Sequence, residues 1–136
     1  MGEEVLLRRE DGVATVVFNR PDQRNAINYQ MWLDLGRLLA DLEGDPEVRV
    51  VLFTGAGTEA FSAGADIKDF HLYRDSAARA RTVYGAAVAG AMGRLERFPK
   101  PTISLIKGFC VGGGCELALG TDIRVSAANG RFGIPA

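Results

Sequence analysis

The sequence has few of the side chains on which nucleophilic and metal chemistry usually depend. It contains one histidine, His71, and two cysteines, Cys110 and Cys115, in 136 residues. A Ser–His triad would need His71 beside an activated serine, and no motif marks such a serine. Two cysteines without a histidine at ligand spacing support neither a metal site nor a disulfide framework. We therefore expect no metal, and reduced thiols as in a cytoplasmic protein.

The sequence also has no excess of positive or negative charge and no long hydrophobic run. Sixteen basic and seventeen acidic residues give a net charge of −1, and no basic patch favours a nucleic acid partner. The first residues, Met1 to Glu4, lack the basic and apolar regions of a signal peptide. No apolar run is long enough to span a membrane, so we expect neither a nucleic acid nor a membrane partner.

Two glycine-rich loops are present, but neither matches a nucleotide-binding pattern. Gly55-Ala56-Gly57 follows a predicted strand and lacks the third glycine of a dinucleotide fingerprint. No glycine loop is followed by Gly-Lys-Ser/Thr. The glycine-rich loops therefore do not indicate a binding site for a dinucleotide or a nucleoside triphosphate.

Hydrophobic periodicity predicts a single α/β domain. Apolar spacing favours helices over residues 29–43, 74–98 and about 113–119, and β-rich runs favour strands over 5–10, 13–18, 48–54, 102–106 and 123–127. Asp11-Gly12 predicts a hairpin turn, and Asn28 a helix cap. The run 48–54 hardly alternates, which predicts a strand buried on both faces. The small residues of 55–65 predict a loop of the kind that carries ligand sites. A short helix is predicted to begin within residues 66–70.

The stretch from Lys107 to Ala118 carries the most specific local signal. Three glycines, Gly112 to Gly114, stand between a predicted strand and a helix, and Glu116 follows in the first helical turn. Glycine lets backbone amides approach a ligand, so these N–H groups can face an anion or a developing oxyanion. By themselves, however, the same residues better fit a tight helix entry with a capping glutamate.

Several motifs occur in a fixed order along the chain. They are Asn19-Arg20-Pro21 with Asn25-Ala26-Ile27-Asn28, Phe61-Ser62-Ala63-Gly64-Ala65-Asp66-Ile67, Lys100-Pro101, Gly108 with Val111-Gly112-Gly113-Gly114-Cys115-Glu116-Leu117-Ala118, Asp122-Ile123-Arg124 and Phe132-Gly133. Together they resemble the crotonase family, the enoyl-CoA hydratase/isomerase superfamily. The resemblance implies a right-handed spiral of ββα units, assembled as trimers or paired trimers.

The resemblance also implies an acyl-CoA thioester as substrate, with coenzyme A as part of the substrate and no separate cofactor. The backbone amides of Ala65 and Gly113 match the pair that holds the thioester oxygen, and Glu116 matches a catalytic acid/base. Residues 63–68 match the adenine site, and Arg24 and Ala26 line the coenzyme A path. The complete predicted set for substrate and coenzyme A is Arg24, Ala26, Ala63, Ala65, Asp66, Ile67, Gly112, Gly113, Pro135 and Ala136.

Two departures from the family pattern bear on the reaction. Hydratases of the family carry a second glutamate in Phe-Gly-x-Pro-Glu, where this chain has Phe132-Gly133-Ile134-Pro135-Ala136. The family's chains are also about twice as long. We therefore expect residues 1–136 to be an incomplete spiral core without the C-terminal helical part, with apolar surface exposed. Enoyl-CoA hydration or isomerisation, thioester hydrolysis or C–C cleavage, and coenzyme A binding without turnover all stay open.

Overall fold

The computed structural model describes residues 3–65 and 77–134, with side chains from residue 82 onward in the second segment. Within these residues, eight strands and three α-helices follow one another in the order ββαββαββαββ. Their bounds are β1 Val5–Glu10, β2 Val13–Phe18, α1 Tyr29–Glu43, β3 Val50–Gly55, β4 Ala60–Ser62, α2 Ala77–Glu96, β5 Thr102–Ile106, β6 Phe109–Val111, α3 Gly113–Leu119, β7 Ile123–Ser126 and β8 Arg131–Gly133.

The strands form two sheets. The larger sheet has the order β1-β2-β3-β5-β7, antiparallel between β1 and β2 and parallel elsewhere. The smaller sheet, β4-β6-β8, is parallel throughout. After β2, each strand of the larger sheet is followed by a short strand of the smaller one, and then in two cases by a helix. The predicted α/β fold built from ββα units is confirmed.

Turn and capping residues explain how the β1–β2 hairpin and α1 form. Asp11 and Gly12 both have positive φ, 49° and 81°, which is the backbone of the type I′ turn that joins twisted hairpin strands. The Asn28 side chain accepts a hydrogen bond from Met31 N at 2.8 Å and caps α1. At the other end of α1, Lys100 Nζ donates to Leu42 O and Asp45 O, both at 2.7 Å, as cations do at helix C-termini.

The core lies between α1, α2 and one face of the larger sheet. Trp32, Leu35 and Leu39 of α1 pack with Val51 and Phe53 of β3, all nearly or fully buried. The other face of β3 is only half-buried. The prediction that this strand is buried on both faces is therefore wrong, because the helices of the described residues cover one side of the sheet and leave the other side open.

The smaller sheet is the main feature that sequence patterns did not predict. Ala60–Ser62 lies inside a predicted loop, and Phe109–Val111 and Arg131–Gly133 lie beside predicted strands. A strand of three residues shows too little alternation to be recognised. These segments are extended because they pair with one another, which is decided by the tertiary structure.

Large apolar side chains are exposed in the last third of the described chain, as expected from the sequence. Six of them have between 37% and 58% of their surface exposed: Leu105, Leu119, Ile123, Val125, Phe132 and Ile134. The described helices include no segment with the length and hydropathy of a membrane span. That other residues or other chains cover this apolar surface stays a prediction.

Asn25 organises the loop between β2 and α1, a role that sequence patterns did not reveal. The residue is fully buried and has a φ of 56°, a conformation that asparagine tolerates better than most residues. Its Nδ2 donates to Ala56 O at 3.0 Å and to Ala60 O at 2.8 Å. Its Oδ1 accepts from Arg20 N at 3.0 Å. One amide side chain thus ties this loop to the segment that leads into β4.

Replacing Asn25 should destabilise the fold. Asn25→Ala leaves buried backbone groups without partners and places a less tolerant residue at positive φ, so we expect a loss of about 3 kcal/mol in the free energy of unfolding. Asn25→Asp keeps the size but turns a carboxylate oxygen toward two carbonyls, and should cost as much at pH 7. Urea unfolding measures both, with the exposed Gln30→Ala as a control within about 0.5 kcal/mol of the parent. A fully stable Asn25→Asp would show that the two carbonyl contacts contribute little.

Candidate active site

Two backbone segments that are distant in sequence meet where β4 ends and α3 begins. A Cβ built on Gly64 would lie 2.9 Å from Val111 O and 3.3 Å from Gly113 N. A Cβ built on Gly113 would lie 3.9 Å from Ala65 N. The structure therefore brings the predicted pair, Ala65 and Gly113, side by side, with only glycine small enough for the approach of Gly64 to Val111.

The N–H groups of Ala65 and Gly113 differ from those beside them. Gly64 N donates to Ser62 Oγ at 3.1 Å, and Gly112 N donates to Gly133 O at 2.8 Å. For Ala65 N and Gly113 N, no acceptor is present among residues 3–65 and 77–134. Neither residue is fully buried. Two adjacent donors without partners are what a binding site for a carbonyl oxygen requires.

The turn at Gly112 sets the direction of the chain as it enters α3. Its φ of 56° and ψ of −126° lie in a region that is strained for residues with a side chain. Gly112 O then accepts from Glu116 N at 3.0 Å and closes the first helical turn. This change of direction places Gly113 N beside Ala65 rather than in the ladder of the smaller sheet.

Glu116 lies in the first turn of α3, as predicted, three positions after Gly113. Its side chain is exposed. In the described segments, no hydrogen bond or ion pair holds its carboxylate. Glu116 is thus one helical turn from Gly113, and its exposed carboxylate has no partner among the described residues, which leaves it available for proton transfer.

Two segments predicted to line the coenzyme A path lie side by side in the described residues. Ala63 N donates to Arg24 O at 2.9 Å, and Ile27 forms a parallel bridge with Ala65. The loop with Arg24 and Ala26 therefore runs alongside 63–65. The Arg24 guanidinium carbon lies 4.6 Å from the centre of the Phe109 ring. Outside the described residues lie Asp66, Ile67, Pro135, Ala136, His71 and the predicted helix at 66–70.

The two cysteines flank the glycine turn and are both buried. Burial, followed by the neighbouring Cys115 side chain, raises the pKa of the Cys110 thiol to about 12. A thiol that keeps its proton is a poor nucleophile. Cys110 is therefore a packing residue.

Comparison with known proteins identifies the family. A family model described as enoyl-CoA hydratase/isomerase matches residues 8–136. The chain belongs to the enoyl-CoA hydratase/isomerase family. A short-chain-enoyl-CoA hydratase of Clostridium acetobutylicum is 40% identical over 96% of this chain and 49% of its own length. A crotonyl-CoA hydratase of Syntrophomonas wolfei is 37% identical over 98% of this chain and 50% of its own.

Solved structures show the same fold of the enoyl-CoA hydratase/isomerase family. An enoyl-CoA hydratase/carnithine racemase from Magnetospirillum magneticum superimposes with a TM-score of 0.92 and 41% identity, over 99% of this chain and 50% of that one. A Pseudomonas aeruginosa protein, AtuE, superimposes with a TM-score of 0.91 and 34% identity, over 98% of this chain and 51% of that one. The chain thus spans about half the length of the relatives it matches.

Adding a methyl group at Gly114 should separate α3 from β4. A Cβ there would lie 2.4 Å from Ser62 O and 2.7 Å from Ser62 Cβ, so Gly114→Ala should cost about 2 kcal/mol through overpacking. Gly90→Ala is the matched control, because a Cβ on Gly90 in α2 meets no atom within 4 Å. That change should stabilise the protein by up to about 1 kcal/mol. Thermal unfolding of both variants measures the opposite signs, and equal shifts would contradict the close approach.

The raised pKa of Cys110 predicts a loss of stability at alkaline pH. The folded thiol keeps its proton up to about pH 12, whereas the ordinary value is 9.0. The stabilisation is therefore complete below about pH 9 and is lost between pH 9 and 12, where the unfolded chain releases the proton. The free energy of unfolding should fall more steeply from pH 8 to 10 in the parent than in Cys110→Ala. Parallel curves would show that the thiol ionises equally in both states.

Proposed function

We propose that the protein containing this chain is an enoyl-CoA hydratase/isomerase that acts on an acyl-CoA thioester. The observation that carries the proposal is the pair of adjacent N–H groups, Ala65 and Gly113, which have no acceptor in the described residues. Membership of the family and the names of its relatives support the same activity. Hydration is the favoured reaction, because both relatives are named as hydratases.

In the proposed reaction the thioester oxygen of an enoyl-CoA accepts hydrogen bonds from Ala65 N and Gly113 N. When the oxygen of water bonds to C3, the electrons of the C2–C3 double bond move toward the thioester, and negative charge develops on its oxygen. Two donors fixed by backbone geometry stabilise this enolate more than the neutral substrate. Loss of one such donor typically costs about 2.7–4 kcal/mol in the barrier.

Glu116 is proposed to transfer the proton. It takes a proton from the attacking water and returns one to C2, so that hydroxide and proton are both added and none is left over. In relatives with two glutamates the tasks are divided. Here alanine stands at position 136, so Glu116 must serve as both base and acid, or a residue outside this chain must share the task. This chemistry needs no cofactor beyond the coenzyme A of the substrate.

Coenzyme A is proposed to lie along the loop of Arg24 and Ala26 and the segment from Ala63 to Ile67, with Gly112, Pro135 and Ala136 near the acyl end. Arg24 supplies a cation for the phosphates, and its exposed side chain lies 3.8 Å from the exposed Glu59 carboxylate. The exposed apolar side chains of β7 and β8 fit a protein that continues beyond this core and assembles as a trimer or hexamer.

The role of Glu116 is tested by Glu116→Gln in the complete protein. The amide keeps the size of the side chain but cannot accept a proton, so turnover of crotonyl-CoA should fall by about 10²- to 10⁴-fold. The decrease should lie in kcat, because the thioester contacts are unchanged. Glu43→Gln, at the exposed end of α1, is the matched control and should keep the parental rate. An unchanged rate in Glu116→Gln would remove Glu116 from the mechanism.

The alanine at position 136 favours a second candidate, a protein of the same fold with another activity or none. Thioester hydrolysis and C–C cleavage also use an enolate or oxyanion site. Product analysis by mass spectrometry with several acyl-CoA thioesters separates these reactions from hydration. Calorimetry that shows acyl-CoA binding without any product would instead assign a binding function.

A further inference from the structure

A hydrogen-bonded pair of aromatic side chains, Trp32 of α1 and Tyr84 of α2, lies behind the two proposed donors. Trp32 has 1% of its surface exposed, and its Nε1 donates to the Tyr84 hydroxyl at 2.9 Å. The Tyr84 hydroxyl donates in turn to Ile27 O at 3.1 Å. A buried indole N–H needs an acceptor. Here the acceptor is the Tyr84 hydroxyl, which also binds the backbone of a third segment through Ile27 O.

The indole ring lies close to Gly113. A Cβ built on Gly113 would lie 3.3 Å from Trp32 Cζ2, so the ring occupies the space toward which a side chain at this position would point. The same Cβ position lies 3.9 Å from Ala65 N, so the edge of the ring lies beside the space between the two segments that carry the amides. An alanine at position 113 would press against the same ring atom.

The Tyr84 hydroxyl reaches the Ala65 side through Ile27. Ile27 is fully buried, its N donates to Gly64 O at 2.7 Å, and it forms the parallel bridge with Ala65. A displacement of Ile27 therefore displaces the strand segment that carries the Ala65 amide. One pair of side chains thus lies beside Gly113 at one end and, at the other, is hydrogen-bonded to the residue that pairs with Ala65.

We propose that Trp32 and Tyr84 are positioning residues that set the separation of the Ala65 and Gly113 amides. This inference rests on the proposed function, since the separation matters only if both amides bind one oxygen. Catalysis of this kind is sensitive to small displacements, and about 1 Å can cost about 10²-fold in rate. An interaction that aligns donors with a developing oxyanion acts more strongly in the transition state than in the ground state.

Tyr84→Phe removes only the hydroxyl and is the sharpest kinetic test. In the complete protein we expect kcat for crotonyl-CoA to fall roughly tenfold, with KM changed less than about twofold. Trp32→Phe should act in the same direction. Because the two residues share the hydrogen bond from Trp32 Nε1 to the Tyr84 hydroxyl, the loss in the double variant should be smaller than the product of the two single losses. Independent, multiplying losses would contradict a shared path.

Ser104→Ala is the matched control for a general loss of stability. It removes another buried hydroxyl bond, Ser104 Oγ to Thr121 Oγ1 at 3.0 Å, which touches neither proposed donor. Its free energy of unfolding should fall by about as much as that of Tyr84→Phe, because each variant loses buried hydroxyl hydrogen bonding, while its kcat stays parental. Equal effects of the two variants on kcat would show that Tyr84 acts only through stability, and would overturn the inference.

Fluorescence gives a readout that does not depend on turnover. Trp32 is the only tryptophan among the 136 residues, and the difference between the parent and Trp32→Phe isolates its emission in a longer protein. Saturating butyryl-CoA, which has a thioester carbonyl but no double bond, should change this emission. Coenzyme A, which lacks the carbonyl, should not. Identical spectra with both ligands bound would place the thioester away from Gly113 and overturn the inference.

The outcomes separate this inference from the function on which it rests. Absence of acyl-CoA turnover in the parent overturns the proposed function and the inference with it. Turnover that depends on Glu116 but is indifferent to Tyr84→Phe overturns the inference alone. Turnover that is lost in Glu116→Gln, with reduced kcat and nearly constant KM in Tyr84→Phe, supports both.

Discussion

The close approach of backbone to backbone at Gly64, Gly113 and Gly114 is the constraint on which the rest of the structure depends. A Cβ at Gly114 would lie 2.4 Å from Ser62 O, and one at Gly64 would lie 2.9 Å from Val111 O. Where side chains are absent, main-chain groups of two units can meet. The same absence leaves two N–H groups beside each other with no acceptor in residues 3–65 or 77–134.

The two sheets hold these segments in place. The parallel pairing of β4, β6 and β8 aligns the ends of short strands from successive units, and Asn25 ties the loop before α1 to the segment before β4. Trp32 and Tyr84 then connect both helices of the core to the same region. Structural stability and the proposed chemistry therefore share residues, so that substitutions here are expected to affect both, and only matched controls separate the effects.

Membership of the enoyl-CoA hydratase/isomerase family and the unusual alanine at position 136 have different consequences. The proposed oxyanion site is built from backbone amides, which do not depend on the side chains of the residues that supply them. Proton transfer does depend on a side chain, and there this chain differs from the two-glutamate pattern. In the proposed mechanism, the sequence constrains the proton-transfer step less than it constrains the pair of backbone amides.

The sequence by itself determined the long elements and the candidate residues. Residues 29–43 show their helix by apolar spacing, Asp11-Gly12 shows its turn, and Ala65, Gly113 and Glu116 are marked by ordered motifs. Only the tertiary structure decided the three short strands, the open face of β3, the buried role of Asn25 and the contact of Trp32 with Gly113. The physical reason is the distance along the chain over which each effect acts. Periodicity and turn chemistry act within a few residues, whereas strand pairing, burial and the meeting of two amides depend on residues far apart in the chain.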